Sequence, residues 1–183
     1  TIELADCPYR LIGAARAWCG PFADDLEGDR GWRTDPDGTD DATAGAWERG
    51  DPSADRRLGV RAADGRSALV TGRAPGVDVD GGTTTVRSAW LTVPDGRGAT
   101  VRLLWTRVGG SAGPDDGLSL RIVARDEVVG PVEIPIALGP TELGRPRWRP
   151  WSAPLPDGFA GHAIALELVA RDAGPDDRGE EIG

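Results

Sequence analysis

Apolar and polar residues alternate with a period of two along several stretches of the chain. Between residues 117 and 125, the apolar positions at even numbers alternate with Ser119, Arg121 and Arg125. This pattern is typical of antiparallel strands with one buried face. The same alternation recurs in 101–106, 132–138 and 164–169, and further strands are predicted at Ser67–Thr71 and Thr83–Val93.

Turn residues separate these stretches at short intervals. The chain contains 27 Gly and 15 Pro, and turns such as Pro94–Gly96 and Pro156–Gly158 combine a preset φ with a residue that tolerates positive φ. Many short strands joined in this way predict an all-β, antiparallel β-sandwich of the jelly-roll type. We assign it to residues 23–183 and predict an irregular or short helical N-terminal strap for residues 1–22.

Cys7 and Cys19 both lie in the strap. A disulfide between them would stabilise the fold by about 3 kcal/mol through the entropy of the unfolded chain. Two free buried thiols are the alternative, and we predict the disulfide. Together with the absence of methionine, this pair favours a secreted protein.

The charge balance restricts the partners. The 30 acidic and 21 basic residues give a net charge of −9. Such a chain repels nucleic acid and anionic membranes, and the sequence has no run of eighteen apolar residues that could form a transmembrane helix. We therefore predict neither a nucleic-acid nor a membrane partner.

Aspartates are concentrated in three segments, 24–29, 35–41 and 78–84. Oxygen ligands held on turns suit Ca²⁺, although each segment alone is also explained as an ordinary Asp-Gly turn. The third segment is no EF-hand, because Ala89 stands where that loop needs a glutamate. Asp78 and Asp80 are predicted ligands because a turn at a strand edge brings them to one rim, and Asp40 is a further candidate.

These acidic segments also carry a family resemblance. The stretches 25–32 and 37–52, followed by 67–72 and 78–88, resemble a MAM-like jelly-roll domain found C-terminal to secreted bacterial zinc carboxypeptidases and related metallopeptidases. The resemblance covers about residues 22–173. It implies a structural Ca²⁺ beside the first strand, with Glu27 as a ligand and Asp25 next to it.

The sequence departs from the family pattern in two places. Leu26 replaces the usual Phe, and the sequence stops at Gly183, where the family continues into a final Asp-Asp strand that supplies a further metal ligand. We therefore expect either that the polypeptide continues beyond Gly183 or that another chain supplies that strand.

Catalytic signals are weak in this sequence. His162 is the single histidine, and one histidine without cysteine or histidine partners forms none of the usual zinc sites. The sequence also lacks a Gly-x-Ser-x-Gly nucleophile elbow, which argues against a serine hydrolase. We interpret His162 as a polar residue at the start of a strand. A carboxylate pair for glycoside hydrolysis stays open, because sequence shows neither the separation nor the pKa that it needs.

The chain has seven Trp but one Tyr and two Phe. Trp105 is in phase with core positions, and we expect Trp32 and Trp47 to pack beneath the acidic rim. Trp148 and Trp151 could stack on a sugar ring, or both rings could be buried. Trp90 fits either face of a strand.

The prediction for function is a non-catalytic accessory module of a secreted metallopeptidase, stabilised by Ca²⁺. Its partner would be the catalytic domain of the parent protein or an extracellular protein or glycan surface. The alternatives are a carbohydrate-binding module that uses Trp148 and Trp151, and a small glycan-processing enzyme.

Overall fold

The computed structural model describes residues 22–54, 59–74, 77–95, 99–107, 116–138 and 147–172, together with the backbone of two N-terminal strands. Within these residues almost every regular element is an antiparallel β-strand. The strands are β1 (Arg10–Gly13), β2 (Arg16–Cys19), β3 (Arg33–Thr34), β4 (Trp47–Gly50), β5 (Ala68–Thr71), β6 (Gly82–Arg87), β7 (Leu91–Thr92), β8 (Thr100–Trp105), β9 (Gly117–Ala124), β10 (Val132–Ile136), β11 (Arg149–Pro154) and β12 (Ala163–Asp172). Short 3₁₀ helices occupy Pro52–Ala54 and Asp157–Phe159.

A six-stranded sheet is the larger layer of the fold. Its order is β10-β9-β12-β6-β3, and β7 pairs with β12 beyond the end of β6. Apart from the N-terminal pair β1–β2, the other strands form the pairs β8–β11 and β4–β5, which pack over the inner face of the large sheet. This architecture confirms the predicted all-β antiparallel sandwich. No helix in the described residues is long and apolar enough to cross a membrane.

Two apolar clusters fill the space between the layers. The first joins Leu120 and Ile122 of β9 to Phe159, with Val101 of β8 and Trp151 of β11 packed against them. The second surrounds Trp47 of β4 and Val86 of β6, with Trp32 beside them. Burial of such side chains removes apolar surface from water at about 25 cal/mol per Å², which favours the closed sandwich.

The alternation predicted for β9 is confirmed, with Ile122 fully buried and the guanidinium of Arg121 on the opposite face. In β12 both faces are buried: Ile164 on the inner face is 3 % exposed, and on the outer face Ala165 and Glu167 have no exposed surface. The predicted strand at Thr83–Val93 is interrupted between β6 and β7, where the Ser88 hydroxyl accepts a hydrogen bond from the backbone amide of Leu166. A side chain replaces a ladder bond at that point, so the segment leaves the regular pairing.

The described part of the N-terminal strap forms a hairpin of β1 and β2, with Leu11 opposite Trp18 and Ile12 opposite Ala17. This differs from the predicted irregular or short helical strap, because the backbone of the two four-residue segments is paired as antiparallel strands. Cys7 and the side chain of Cys19 lie outside the described residues, so the disulfide remains a prediction.

Candidate ligand-binding face

The outer face of the six-stranded sheet carries a row of charged side chains across five strands. Arg87 of β6 and Arg121 of β9 lie directly opposite Glu167 of the central strand β12. Arg33 of β3 lies opposite Arg87, and Glu133 of β10 lies opposite Arg121. Since directly opposed residues project from the same face of an antiparallel sheet, the pairing places all five in one line.

Glu167 is the centre of this charged row. Its side chain has no exposed surface, and its two carboxylate oxygens accept hydrogen bonds from Nε of Arg87 and Nε of Arg121. Arg87 also pairs with Asp37. Burial lowers the pKa of the Arg87 guanidinium, but the hydrogen bonds to Asp37 and Glu167 outweigh it and raise that pKa above its ordinary value. The Arg87 guanidinium is therefore held in its charged form.

Glu133 closes the row at the β10 edge. The Ser119 hydroxyl donates to Glu133 Oε1 over 2.7 Å, and Arg171 contacts the two carboxylate oxygens at 2.9 and 3.2 Å. The hydrogen bond from Ser119, followed by the bond from Arg171, holds the pKa of Glu133 below its usual value of 4.5 against the opposing effect of desolvation.

At the opposite end of the face, near β3 and β7, the described side chains form fewer hydrogen bonds and ion pairs. Arg33 is exposed, and its side chain makes no hydrogen bond or ion pair within the described part of the chain. Trp90 is 42 % exposed, and the guanidinium carbon of Arg125 lies 5.9 Å from the centroid of its ring. Leu91 packs against the first core cluster, so the preceding Trp90 lies on the outer side.

This face is richer in cations than the rest of an acidic chain. Its charged side chains are Arg33, Arg87, Arg121, Arg125, Arg171, Asp37, Glu133 and Glu167. Five of these eight side chains are arginines, and the three carboxylates are engaged in ion pairs. The face is suited to binding anionic or polar groups by donated N–H bonds.

The residues predicted from the resemblance to bind Ca²⁺ lie in the loop before β3. Glu27 Oε1 accepts hydrogen bonds from the backbone amides of Arg66 and Ser67, both at 2.7 Å. Asp25 Oδ1 accepts the backbone amide of Glu27 at 3.2 Å. Glu27 therefore ties this loop to the segment before β5.

Asp24 was missed by the sequence reasoning. Its side chain is 2 % exposed and accepts bonds of 2.8 Å from the amide of Leu26 and from Nε1 of Trp32. The ion pair with Arg30 Nε is 3.5 Å long. The sequence alone does not indicate which carboxylate of the Asp24-Asp25 pair is buried, because that depends on where the Trp32 ring packs.

The other predicted metal ligands lie elsewhere. Asp40 Oδ2 accepts a hydrogen bond of 2.7 Å from the backbone amide of Thr85 and one of 3.3 Å from the hydroxyl of Thr84. Asp80 forms an isolated β-bridge with Ala44, and Asp78 lies two residues before it. A cleft of about 300 Å³ opens beside Asp40; its walls are Thr34, Asp35, Asp40, Ala42, Thr43, Ala44, Gly45, Ala46 and Thr84.

The fit of these residues to a calcium ion is incomplete. In the described ranges no group of three or more His, Cys, Asp or Glu side chains converges as a metal site would require. The Glu27 and Asp40 oxygens that accept backbone amides are occupied as acceptors. The end of the sequence, where the resemblance implies a further ligand, lies outside the described residues, so the calcium site remains a prediction.

The two tryptophans predicted to bind a sugar are both half-buried. Trp148 donates its indole N–H to the carbonyl of Arg61 over 2.7 Å, and Trp151 packs against the first core cluster. Trp105 is 8 % exposed and belongs to the core, as predicted. Trp32 and Trp47 meet in the second core cluster, and the bond from Trp32 to Asp24 joins this cluster to the acidic loop.

His162 lies immediately before β12, at the predicted strand start. Its Nδ1 lies 2.7 Å from Oδ2 of Asp126. That hydrogen bond is the main reason why the pKa of Asp126 is lowered from its ordinary value, with desolvation opposing it. The pair joins the turn after β9 to the start of β12.

Sequence reasoning placed Arg121 and Glu167 in the polar phase of their strands but did not recognise them as partners. The available signal was the alternation itself. The missing information was the strand order, which brings β6 and β9 to the two sides of β12.

Comparisons with family models, curated proteins and solved structures gave no match to this chain.

Proposed function

We propose that this protein is a non-catalytic interaction module, and specifically an accessory domain of a secreted bacterial metallopeptidase. The observation that carries the proposal is the use of its carboxylates. Glu27 and Asp40 accept backbone amides, and Glu167 is enclosed by two arginines. A general acid or base needs a carboxylate that can exchange a proton with a substrate, whereas these groups hold loops and strands together.

The resemblance of the acidic segments to MAM-like domains supplies the second part of the proposal. It implies a domain that accompanies a zinc peptidase and is stabilised by Ca²⁺. The fold agrees with such a role, since a β-sandwich presents a rigid sheet face and loop ends to a partner. The partner would be the parent catalytic domain or an extracellular protein or glycan surface.

Two measurements test this proposal. The purified chain should give no turnover of peptide or polysaccharide panels; turnover that is abolished by one Asp or Glu substitution would contradict it. Deleting the module from the full-length parent should lower its melting temperature or weaken substrate binding, with kcat on a small peptide retained. A parent reading frame without a peptidase domain would refute the metallopeptidase assignment.

A carbohydrate-binding module is the second candidate. The observation that favours it is the exposed indole of Trp90, which stacks on Arg125 outside the core. Trp148 and Trp151 were the tryptophans predicted for this role. Saturable glycan binding that is lost in Trp148→Ala and Trp151→Ala would support that location.

A further inference from the structure

Trp90 is held in place as an exposed aromatic platform. At 42 % exposure it differs from Trp47 and Trp105, which are 8 % exposed in the core. The Arg125 guanidinium lies 5.9 Å from the ring centroid, which is within the range of a cation–π contact. This contact restricts the indole before any ligand arrives, and a preorganised side chain loses less entropy on binding.

Arg33 lies near this platform on the same face. The chain before β3 stays close to the segment after β6, since a Cβ on Gly31 would lie 3.5 Å from Ala89 Cβ. Trp90 follows Arg87, the partner of Arg33, by three residues. Since β12 pairs Glu167 with Arg87 and Ile164 with Leu91, the Arg87 and Trp90 positions lie only two β12 residues apart along the sheet, roughly 7 Å at about 3.3 Å per residue.

The local charge favours an anion even though the chain carries −9. Arg87 and Arg121 are neutralised by Glu167 and Asp37, whereas Arg33 has no partner among the described residues. The Arg125 guanidinium lies over the face of Trp90 and forms no ion pair within that part of the chain. Two guanidiniums are thus available beside the platform, and guanidinium–carboxylate bonds are short and bidentate.

We propose that the outer face of the six-stranded sheet binds an acidic polysaccharide. Trp90 receives the apolar side of a sugar ring, and Arg33 and Arg125 bind the carboxylates of uronic acid units. A polyuronate carries flat C–H faces and carboxylates in one repeating chain, which matches an indole with guanidiniums on either side. An acidic peptide would use the arginines without needing the indole. This inference rests on the proposed function as an interaction module and assigns its ligand class and surface.

The test measures binding of polygalacturonate and alginate oligosaccharides to the whole chain by titration calorimetry, at low salt and without Ca²⁺. Trp90→Ala and Arg33→Ala should each weaken binding by about tenfold or more, because each removes a direct contact to the ligand. Trp148→Ala and Arg73→Ala are the matched controls, and they should bind the oligosaccharides as tightly as the unsubstituted chain does. Arg73 is an exposed arginine at the other layer, paired only loosely with Glu48 at 4.0 Å.

The outcomes separate the possibilities. Loss confined to Trp90 and Arg33 variants supports the inference, and higher salt should weaken binding further. Absence of binding to both polyuronates overturns it, as does loss in Trp148→Ala alone. Equal binding of polyglutamate with no effect of Trp90→Ala would identify an acidic peptide instead. Trp90→Leu provides the same readout if Trp90→Ala unfolds. None of these results affects the proposed lack of catalysis, which is decided by turnover.

Discussion

Removal of the Glu167 carboxylate tests how far the charged row stabilises the fold. Glu167→Ala leaves Arg87 and Arg121 facing each other without their shared counter-ion, at side-chain exposures of 18 % and 30 %. Breaking a buried ion pair costs about 3–5 kcal/mol. The arginines still reach solvent and Arg87 retains Asp37, so we expect the lower end, about 3 kcal/mol in the free energy of unfolding.

The assay is urea denaturation followed by tryptophan fluorescence, with thermal melting as a second measurement. For a domain of this size, 3 kcal/mol corresponds to a fall of about 6–12 °C in melting temperature. Glu133→Ala is the matched control on the same face. Its carboxylate is 32 % exposed and pairs with the 46 % exposed Arg171, so its loss should cost about 1 kcal/mol or less.

Glu167→Gln keeps an acceptor oxygen for one arginine but removes the charge. Its cost should fall between those of Glu167→Ala and Glu133→Ala. The reasoning is refuted if Glu167→Ala and Glu133→Ala destabilise the chain equally, since the centre of the row would then behave like an ordinary surface pair.

Three further predictions concern other parts of the chain. Ser119→Ala should raise the pKa of Glu133, which carboxyl NMR titration measures. Because the native pKa is lowered, the stability linked to Glu133 is present above pH 4.5 and is lost as pH falls through the native pKa. The variant should therefore lose this stability at a higher pH than the native chain. Gly45→Ala should destabilise more than Gly38→Ala in urea melts. Both positions have positive φ, worth about 1 kcal/mol for alanine, but only at Gly45 does the new Cβ collide with backbone, at the carbonyl oxygen of Asp78. Calcium at about 100 times its Kd should add about 2.7 kcal/mol of stability that EDTA removes and Glu27→Gln abolishes; an unchanged melting temperature with chelator would contradict calcium binding.

The strands could be predicted because their evidence is local. Alternation over 117–125 identified β9 and its inner face, and the same reasoning placed Trp105 in the core. The row of charged side chains on the outer face could not be predicted, because it depends on which strands become neighbours. Glu167 in the sequence is one acidic residue in an apolar run, and only the positions of β6 and β9 turn it into the centre of an ion network. Trp90 was ambiguous for the same reason: its side of the sheet is decided by the pairing of β7 with β12.

The buried carboxylate of β12 also has a consequence for how the chain finds its native alignment. Both sides of this strand are apolar around it, with Ile164 toward the core and Ala165 and Val169 on the outer side. Apolar contacts alone would tolerate a shift of β12 by one residue, because either side can be buried. Such a shift would turn Glu167 into the core, away from both arginines, and an isolated buried charge is strongly unfavourable. One acidic side chain in the central strand thus excludes the misaligned sheet that its hydrophobic neighbours would permit.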